Sequence, residues 1–213
     1  MPAPYLRKPV WASIALAACL TAACPYATAQ AAPTNSQSGE QVRVINGVRY
    51  APQVQVNERT LTLNGAGTRY KAIFKVYTAG LYLEKSASDL KEIMALPGPK
   101  RISVTMLRDI DSAELGKLFS RGMEDNMDRA TFSRLVPGVL QMSEIFTRHK
   151  KLLTGESFMV DWVPGQGAQV FVKGQPEGTP FKEPEFFQAL LGIWLGPHPA
   201  DEGLKKALLS SSS

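Results

Sequence analysis

The sequence predicts a mixed α+β fold with an antiparallel sheet, and three observations support this class. Apolar residues alternate with polar ones over much of residues 42–84, which predicts several consecutive strands. Residues 86–151 instead repeat apolar residues at helical spacing, with one alternating segment among them. A further pair of alternating segments and two helices complete the chain. Strands and helices that follow one another in blocks are typical of the α+β class.

The predicted strands begin with a hairpin. Residues 42–45 and 48–50 flank Asn46-Gly47, a dipeptide that is favoured in type I′ hairpin turns. Pro52 ends this hairpin, and alternation over residues 54–56 predicts another short, half-buried strand. The first part of the domain is therefore expected to form a β-meander that leads into the next segment.

The segment 61–84, LTLNGAGTRYKAIFKVYTAGLYLE, organises the rest of the chain. It is the longest β-type run, and its one strongly polar anomaly is Arg69. The tripeptide Gly-Ala-Gly comes shortly before it, and glycine near a strand predicts a bulge or the close approach of another group. Tyr77 follows eight residues after Arg69. An arginine and a tyrosine in an otherwise apolar sheet are suited to hold an anionic or phenolic ligand.

Arg69 and Tyr77 can share a ligand only if the chain reverses between them. In one straight strand they would lie about 26 Å apart. The apolar set falls on even positions up to Val76 and on odd positions from Tyr77, and such a change of face indicates a break in register. We therefore expect a reversal near residues 70–72, although the sequence has no glycine or proline there.

The remaining helices and strands are marked by their ends. Pro97-Gly98-Pro99 stops a helix over 86–96, and Asp111 with Glu114 forms a capping-box pattern at the start of a helix over 111–128. A helix over 131–151 is expected to bend or restart at Pro137. We further predict strands over 101–108, 157–163 and 169–173, a turn-rich link over 174–180, and helices over 183–195 and 204–209.

The first 29 residues predict a signal peptide. Arg7 and Lys8 form a basic start, residues 10–20 form an apolar core, and residues 27–29 (Ala-Thr-Ala) form a small-residue cleavage signal. The chain is therefore expected to be periplasmic or secreted.

Three regions follow from this organisation: the signal peptide over 1–29, a flexible polar tail over 30–40, and one domain over 41–209. The alternative for the leader is lipidation, because the sequence LAAC that ends at Cys19 resembles a bacterial lipobox. In that case the localisation is that of a lipoprotein.

Composition argues against several classes of site. Both cysteines, Cys19 and Cys24, lie in the leader, so a processed chain has no disulfide, thiolate metal site or cysteine nucleophile. The net charge of +5 is spread along the chain without a basic run, unlike a nucleic-acid-binding surface. His149 and His198 belong to no metal-binding or catalytic motif, and no nucleotide-binding motif is present. We expect no metal, no cofactor and no nucleic acid.

Three segments carry a resemblance to a known family: GAGTRYKAIFKVYTAGLYLE, SVTMLRDIDSAELGKLFSRGMEDN and FFQALLGIWLGPHPADEGLKKALL. Together they resemble the chalcone isomerase superfamily, and in particular its bacterial chalcone isomerase-like branch. The resemblance spans residues 41–209. It implies an open-faced β-sandwich, in which helices cover one face of a large antiparallel sheet.

The resemblance implies candidate site residues, position by position. Arg69 matches an arginine that the enzymes and the fatty-acid-binding members of the superfamily share. Tyr77 matches a tyrosine of the fatty-acid binders, where the enzymes have threonine. Phe119 stands where the enzymes have a catalytic-site tyrosine, Asn126 matches their asparagine, and Ile193 stands where they have threonine or serine.

These matches imply a ligand site formed by Arg69, Tyr77, Phe119, Asn126 and Ile193. The isomerase reaction adds a phenolate oxygen to an enone, and it needs donors that stabilise the phenolate and polarise the ketone. Two of the polar groups of the enzymes are missing here, at positions 119 and 193. The expected function is therefore non-catalytic binding of a fatty acid or a similar amphipathic carboxylate in an apolar pocket.

Two other functions stay open at this point. One is an intramolecular lyase or isomerase that acts on a chalcone-like or other phenolic enone, with Arg69 and Asn126 as catalytic residues. The other is a non-catalytic interaction protein. Each residue also has a structural alternative: Arg69 paired with an acid at the surface, Tyr77 in the sheet core, and Asn126 as a polar residue near a helix end. Membrane contact is expected only if Cys19 is lipidated.

Overall fold

The computed structural model describes residues 41–210, which belong to one compact unit, Gly39–Ser213. Its strands are β1 Arg43–Ile45, β2 Val48–Tyr50, β3 Gln53–Val56, β4 Arg59–Lys71, β5 Phe74–Leu83, β6 Lys100–Met106, β7 Ile110–Asp111, β8 Lys151–Leu152, β9 Ser157–Val163, β10 Gly167–Val172 and β11 Gln175–Phe181. Its helices are α1 Leu90–Ala95, α2 Ser112–Glu124, α3 Arg129–Thr147, α4 Pro184–Leu195 and α5 Glu202–Leu209. The predicted signal peptide and flexible tail lie outside the described residues.

Seven strands form one antiparallel sheet in the order β11-β10-β9-β6-β5-β4-β3. The pairs β1-β2 and β7-β8 form two small sheets beside it. The helices contribute their apolar faces to a continuous core with one face of the large sheet. The predicted α+β class, with a large antiparallel sheet that helices cover on one face, is confirmed.

The β1-β2 hairpin covers part of the other face of the sheet. Its turn, Asn46-Gly47, lies at the predicted place, and both residues have the positive φ that a type I′ turn requires. Tyr50 packs over Gly80, where a Cβ atom would lie 2.6 Å from the tyrosine ring. The Tyr50 hydroxyl donates a hydrogen bond to Thr78 Oγ1 at 2.7 Å. A second, smaller core forms beneath the hairpin as a result.

The predicted reversal inside the segment 61–84 is confirmed. The strands β4 and β5 form a hairpin whose turn is Ala72-Ile73, slightly beyond the expected residues 70–72. Ala72 has φ 54°, a left-handed conformation that residues other than glycine adopt rarely, so the absence of glycine did not prevent the turn. Arg69 lies directly opposite Tyr77 in the register of the two strands.

Two predicted helices have different bounds in the structure. The helix expected over 86–96 begins only at Leu90, because the side chain of Asp89 accepts a hydrogen bond from Glu92 N and caps the first turn. The helix expected over 131–151 is one continuous helix from Arg129 to Thr147, so the restart at Pro137 is wrong. Burial of its apolar face in the core supports the helix on both sides of the proline.

The turn-rich link expected over 174–180 is also wrong, because this segment is the strand β11. The strand contains two prolines, Pro176 and Pro180. They are tolerated because β11 lies at the edge of the sheet, where proline need not donate to a second neighbouring strand. No helix between residues 41 and 210 is long and apolar enough to cross a bilayer.

Candidate ligand-binding site

A cavity of about 330 Å³ lies between the sheet, α2, α4 and the loop that precedes α5. This volume is at the lower end of the range for small-molecule sites, about 300–1,000 Å³. The residues along its walls are mainly apolar, including Ile110, Leu115, Leu118, Phe119, Phe158, Ile193, Trp194, Pro199 and Ala200. Arg69 and Tyr77 also line it. The cavity is thus an apolar space with a few polar groups.

Arg69 brings a positive charge to the cavity without a carboxylate partner. Its Nε donates a long hydrogen bond of 3.5 Å to the carbonyl of Ala200, and its Cζ lies 5.5 Å from the centre of the Tyr77 ring. Among residues 41–210, no Asp or Glu oxygen lies within ion-pair distance of its guanidinium. The structural alternative, an arginine paired with an acid, therefore does not apply, and the half-buried guanidinium is free to hold an anion.

The hydroxyl of Tyr77 is oriented by Trp194. The indole Nε1 donates a hydrogen bond of 2.8 Å to the phenol oxygen, which leaves the phenol proton free to be donated elsewhere. Burial raises the pKa of Tyr77 to about 12, against a smaller lowering by Arg69. The phenol is therefore a neutral donor at physiological pH. The sequence prediction missed Trp194, although a tryptophan in an apolar helix needs a partner for its N–H once it is buried.

The raised pKa of Tyr77 predicts a loss of stability in alkaline solution. Below pH 10 this phenol is neutral in the folded and unfolded chains, so burial of the neutral side chain contributes fully to the free energy of unfolding. Between pH 10 and about 12 the unfolded chain releases the proton first, and roughly 2–3 kcal/mol of unfolding free energy is lost. Urea unfolding across this interval should show a smaller loss for Tyr77→Phe than for the wild type. Equal losses would contradict the expected burial.

Phe119 and Ile193 form an apolar wall of the cavity. The Phe119 ring packs against Phe146, Phe158 and Trp194, with ring centroids 5.1, 5.4 and 5.9 Å away. Ile193 packs on Gly122, where a Cβ atom would lie 3.1 Å from the isoleucine side chain. Neither side chain carries a hydrogen-bonding group. These two positions are suited to contact a hydrocarbon and not to polarise a ketone.

Asn126 does not line this cavity. Its Nδ2 donates hydrogen bonds to the carbonyls of Gly122 and His198, at 2.8 and 2.9 Å, and its Oδ1 accepts one of 2.8 Å from His198 N. These bonds tie the end of α2 to the loop after α4, which carries the lining residues Pro199 and Ala200. Asn126 is therefore a polar residue near a helix end, as the structural alternative described it. It acts on the cavity only by positioning the loop.

A bulge in β4 turns Arg69 towards the helices. The register with β5 shifts between Leu63 and Gly65, which leaves Asn64 as the extra residue. Beyond the shift Gly65 and Gly67 face α5, with Cβ positions that would lie within 3 Å of its atoms, and Arg69 shares their face. Without this extra residue the side chain of Arg69 would point to the opposite face of the sheet. The sequence predicted that these glycines mark a bulge or the close approach of another group. The structure has both, a bulge at Asn64 and the close approach of α5.

The side chain of Asn64 holds the bulge in place. Its Nδ2 donates to the carbonyls of Ala87 and Leu208, at 3.1 and 2.8 Å, and its Oδ1 accepts from Ala87 N at 3.0 Å. Asn64 is buried, so these three backbone groups have no ready access to water. Asn64 is a positioning residue that the sequence prediction did not identify.

The charged residues around the cavity favour an anionic ligand. Lys71 and Arg121 line it together with Arg69, whereas Asp125 is the one acid among the lining residues. Asp125 lies 3.8 Å from Arg121 in an exposed pair along α2. A surplus of positive charge at a cavity raises the local concentration of anions.

Comparison with known proteins agrees with this architecture. A family model described as chalcone isomerase-like matches residues 42–210. The structure is also similar to the crystal structure of a fatty-acid binding protein of Arabidopsis thaliana, with a TM-score of 0.63 and 16% sequence identity. That match covers 80% of this chain and 96% of the plant protein. No curated protein sequence matches the chain significantly. The extent of the family match leads to one conclusion: this chain belongs to the chalcone isomerase-like family.

Proposed function

We propose that this protein is a non-catalytic binder of a fatty acid or a similar amphipathic carboxylate. One observation carries the proposal: Arg69, which has no acidic partner among the described residues, lies over the ring of the neutral Tyr77, and both residues line a mainly apolar cavity. A structural neighbour that is a fatty-acid binding protein supports it, together with family membership.

The ligand carboxylate would accept hydrogen bonds from Arg69 and from Tyr77. A charge-assisted bond to arginine is stronger than a neutral one, and the planar guanidinium also fixes the orientation of a carboxylate. Tyr77 is well suited as the second donor because Trp194 already donates to its oxygen. The hydrocarbon tail would then lie against Leu118 and Phe119.

The size of the cavity predicts how affinity depends on chain length. Each methylene that enters the cavity should contribute about 0.8 kcal/mol, or roughly fourfold in affinity. A cavity of about 330 Å³ fills early, so the affinity of saturated acids should rise with length and then level off at a medium chain. Calorimetric titration with a series of saturated acids measures this profile. Affinity that is independent of chain length would contradict the proposed position of the tail.

The experiment that tests the function itself is organic extraction of the purified protein, with mass spectrometry of the extract. We expect amphipathic acids in the extract of the wild type and little in that of Arg69→Ala. Absence of any acid, together with no binding below millimolar concentration, would overturn the proposal. The same preparation should be mixed with a 2′-hydroxychalcone. Turnover above the spontaneous rate would favour the isomerase alternative instead.

We also propose that the chain is exported, and that it belongs to the bacterial branch of the family. The order of basic, apolar and small residues before Ala29 supports export, and the motifs over 65–84 and 186–209 support the branch. Mass spectrometry of the native protein should give an N-terminus near Gln30. Retention of Met1 would contradict export, and an acylated Cys19 would favour a lipoprotein.

A further inference from the structure

The turn between β4 and β5 exposes a cluster of large apolar side chains. We call residues 70–75 (YKAIFK) the hairpin tip; all six residues are exposed. Ile73 is 84% exposed, Phe74 is 61% exposed and Tyr70 is 45% exposed. The register places Phe74 on the same face of the hairpin as Lys71, and Tyr70 on the opposite face with Lys75. Apolar clusters of this kind at a protein surface mark contact sites, since water is an unfavourable environment for them. The hairpin tip is therefore a candidate contact surface.

The hairpin tip lies next to the mouth of the cavity. Lys71, which belongs to the tip, also lines the cavity and pairs with Phe74 across the turn. The root of the tip is held firmly: Tyr70 N donates to Asp201 Oδ2 at 2.9 Å, and Lys75 Nζ donates to Asn46 Oδ1 at 2.6 Å. Any surface that covers the tip would be adjacent to the ligand cavity.

The charges around the hairpin tip favour an anionic surface. The tip contains two lysines and no acid. Arg69 and Arg108 lie beside it, in a small pocket that Lys71 also lines, and no carboxylate of the described chain pairs with either arginine. The acids in this pocket are Asp109, which pairs with a lysine of β8, and Glu114. With Asp201, which accepts the hydrogen bond from Tyr70 N, three acids lie beside the tip, and four cations outnumber them.

We propose that the hairpin tip docks on an anionic lipid bilayer. Ile73 and Phe74 insert at the boundary between headgroups and acyl chains, and Lys71 and Lys75 contact lipid phosphates. Short apolar segments flanked by basic residues bind interfaces through buried apolar area and attraction to anionic lipids. A six-residue tip is also much smaller than the 20–30 residues that each side of a typical protein interface contributes. Unlike the sequence expectation, this contact needs no lipid on Cys19.

Docking of the tip has a consequence for the cavity. The cavity mouth would then lie at the bilayer surface, where an amphipathic acid can move from lipid to protein without crossing bulk water. This consequence rests on the proposed function, whereas the docking itself does not. The two are therefore tested separately.

The docking is tested with the compact unit Gly39–Ser213, which contains both hydrophobic cores and lacks the apolar leader. It is sedimented with vesicles of equimolar phosphatidylcholine and phosphatidylglycerol. We expect the wild type to bind and the double variant Ile73→Ser/Phe74→Ser to bind about tenfold more weakly. The matched control is Leu140→Ser, at a leucine of α3 that is 59% exposed, which should bind like the wild type. Equal binding of the double variant and the wild type would overturn the proposal.

The ionic part of the contact has its own test. Lys71→Gln/Lys75→Gln should reduce binding to the anionic vesicles, and high salt should reduce wild-type binding because it screens these charges. Vesicles of pure phosphatidylcholine should bind the wild type less. Equal binding to both kinds of vesicle would contradict the role of the lysines.

Insertion is measured with a tryptophan at the tip. The emission of Phe74→Trp should shift to shorter wavelength when anionic vesicles are added, and that of Leu140→Trp should not. A dimer that Ile73→Ser/Phe74→Ser converts to a monomer would overturn the proposal, because a second copy of the chain would then cover the tip.

Ligand binding in solution separates docking from the proposed function. A medium-chain carboxylic acid, kept below its micelle concentration, should bind Ile73→Ser/Phe74→Ser as tightly as the wild type. Arg69→Ala should lose this acid and lose only a small part of its vesicle binding, because the hairpin tip itself is unchanged. If the acid does not bind the wild type while the vesicles do, the proposed function fails and the docking stands.

Discussion

Replacement of Arg69 by alanine is expected to lower the affinity for a medium-chain carboxylic acid about 100-fold. The guanidinium is the cation that lies over the Tyr77 ring, and no acid among the described residues is within ion-pair distance of it. Its loss leaves a carboxylate in a half-buried site with a single neutral donor, at a cost of about 3 kcal/mol. Calorimetric titration of wild type and variant measures the difference directly.

Two further variants define what the arginine contributes. Arg69→Lys keeps the charge and loses the planar fork, so its affinity should fall between those of the wild type and Arg69→Ala. Arg59→Ala is the matched control, because Arg59 lies on the same strand, is exposed and pairs weakly with Glu84 at 3.7 Å. It should bind the acid like the wild type. Unchanged affinity in Arg69→Ala would show that the ligand lies elsewhere.

Replacement of Asn64 by alanine is expected to cause the largest loss of stability, about 3 kcal/mol or more. The substitution leaves the N–H and carbonyl of Ala87 and the carbonyl of Leu208 without their partner. Each buried polar group that loses its hydrogen bond costs about 1–3 kcal/mol. Urea unfolding measured at neutral pH gives the difference in free energy.

The same substitution should also weaken ligand binding. The bulge at Asn64 sets the face on which Arg69 points, and the bonds to Ala87 and Leu208 hold that bulge. Gln55→Ala is the matched control, since this amide bonds to Thr60 Oγ1 at 2.7 Å on the exposed part of the neighbouring strands. It should change stability by less than about 0.5 kcal/mol. A similar small effect at Asn64 would contradict its positioning role.

The local pattern of apolar residues was sufficient to predict the hairpin that β4 and β5 form. The apolar residues change from even to odd positions after Val76, which indicated a break in register and hence a chain reversal. In the structure, β4 and β5 form a hairpin in which Arg69 lies opposite Tyr77. The pairing follows from strand periodicity and chain reversal, which both depend on neighbouring residues. Two sequence predictions were wrong: the helix does not restart at Pro137, and the link over 174–180 is the strand β11. Both segments contain proline, which core packing tolerates in the helix and the edge position tolerates in the strand.

The cavity was only partly predictable. Four of the five residues that the resemblance implied, Arg69, Tyr77, Phe119 and Ile193, line one cavity, and Asn126 lies outside it. Trp194 was missed because its role depends on the phenol that it meets, 117 residues away in the sequence. A hydrogen bond between such distant residues leaves no periodic signal.

The sequence by itself determined the α+β class, the reversal between Arg69 and Tyr77, and the apolar character of positions 119 and 193. These features depend on side-chain periodicity and residue type. Only the tertiary structure decided which face of the sheet Arg69 occupies. That choice depends on the bulge at Asn64, which the carbonyl of Leu208 holds from 144 residues away. A one-residue change in register reverses every side chain beyond it, and only a distant contact fixes where that change occurs.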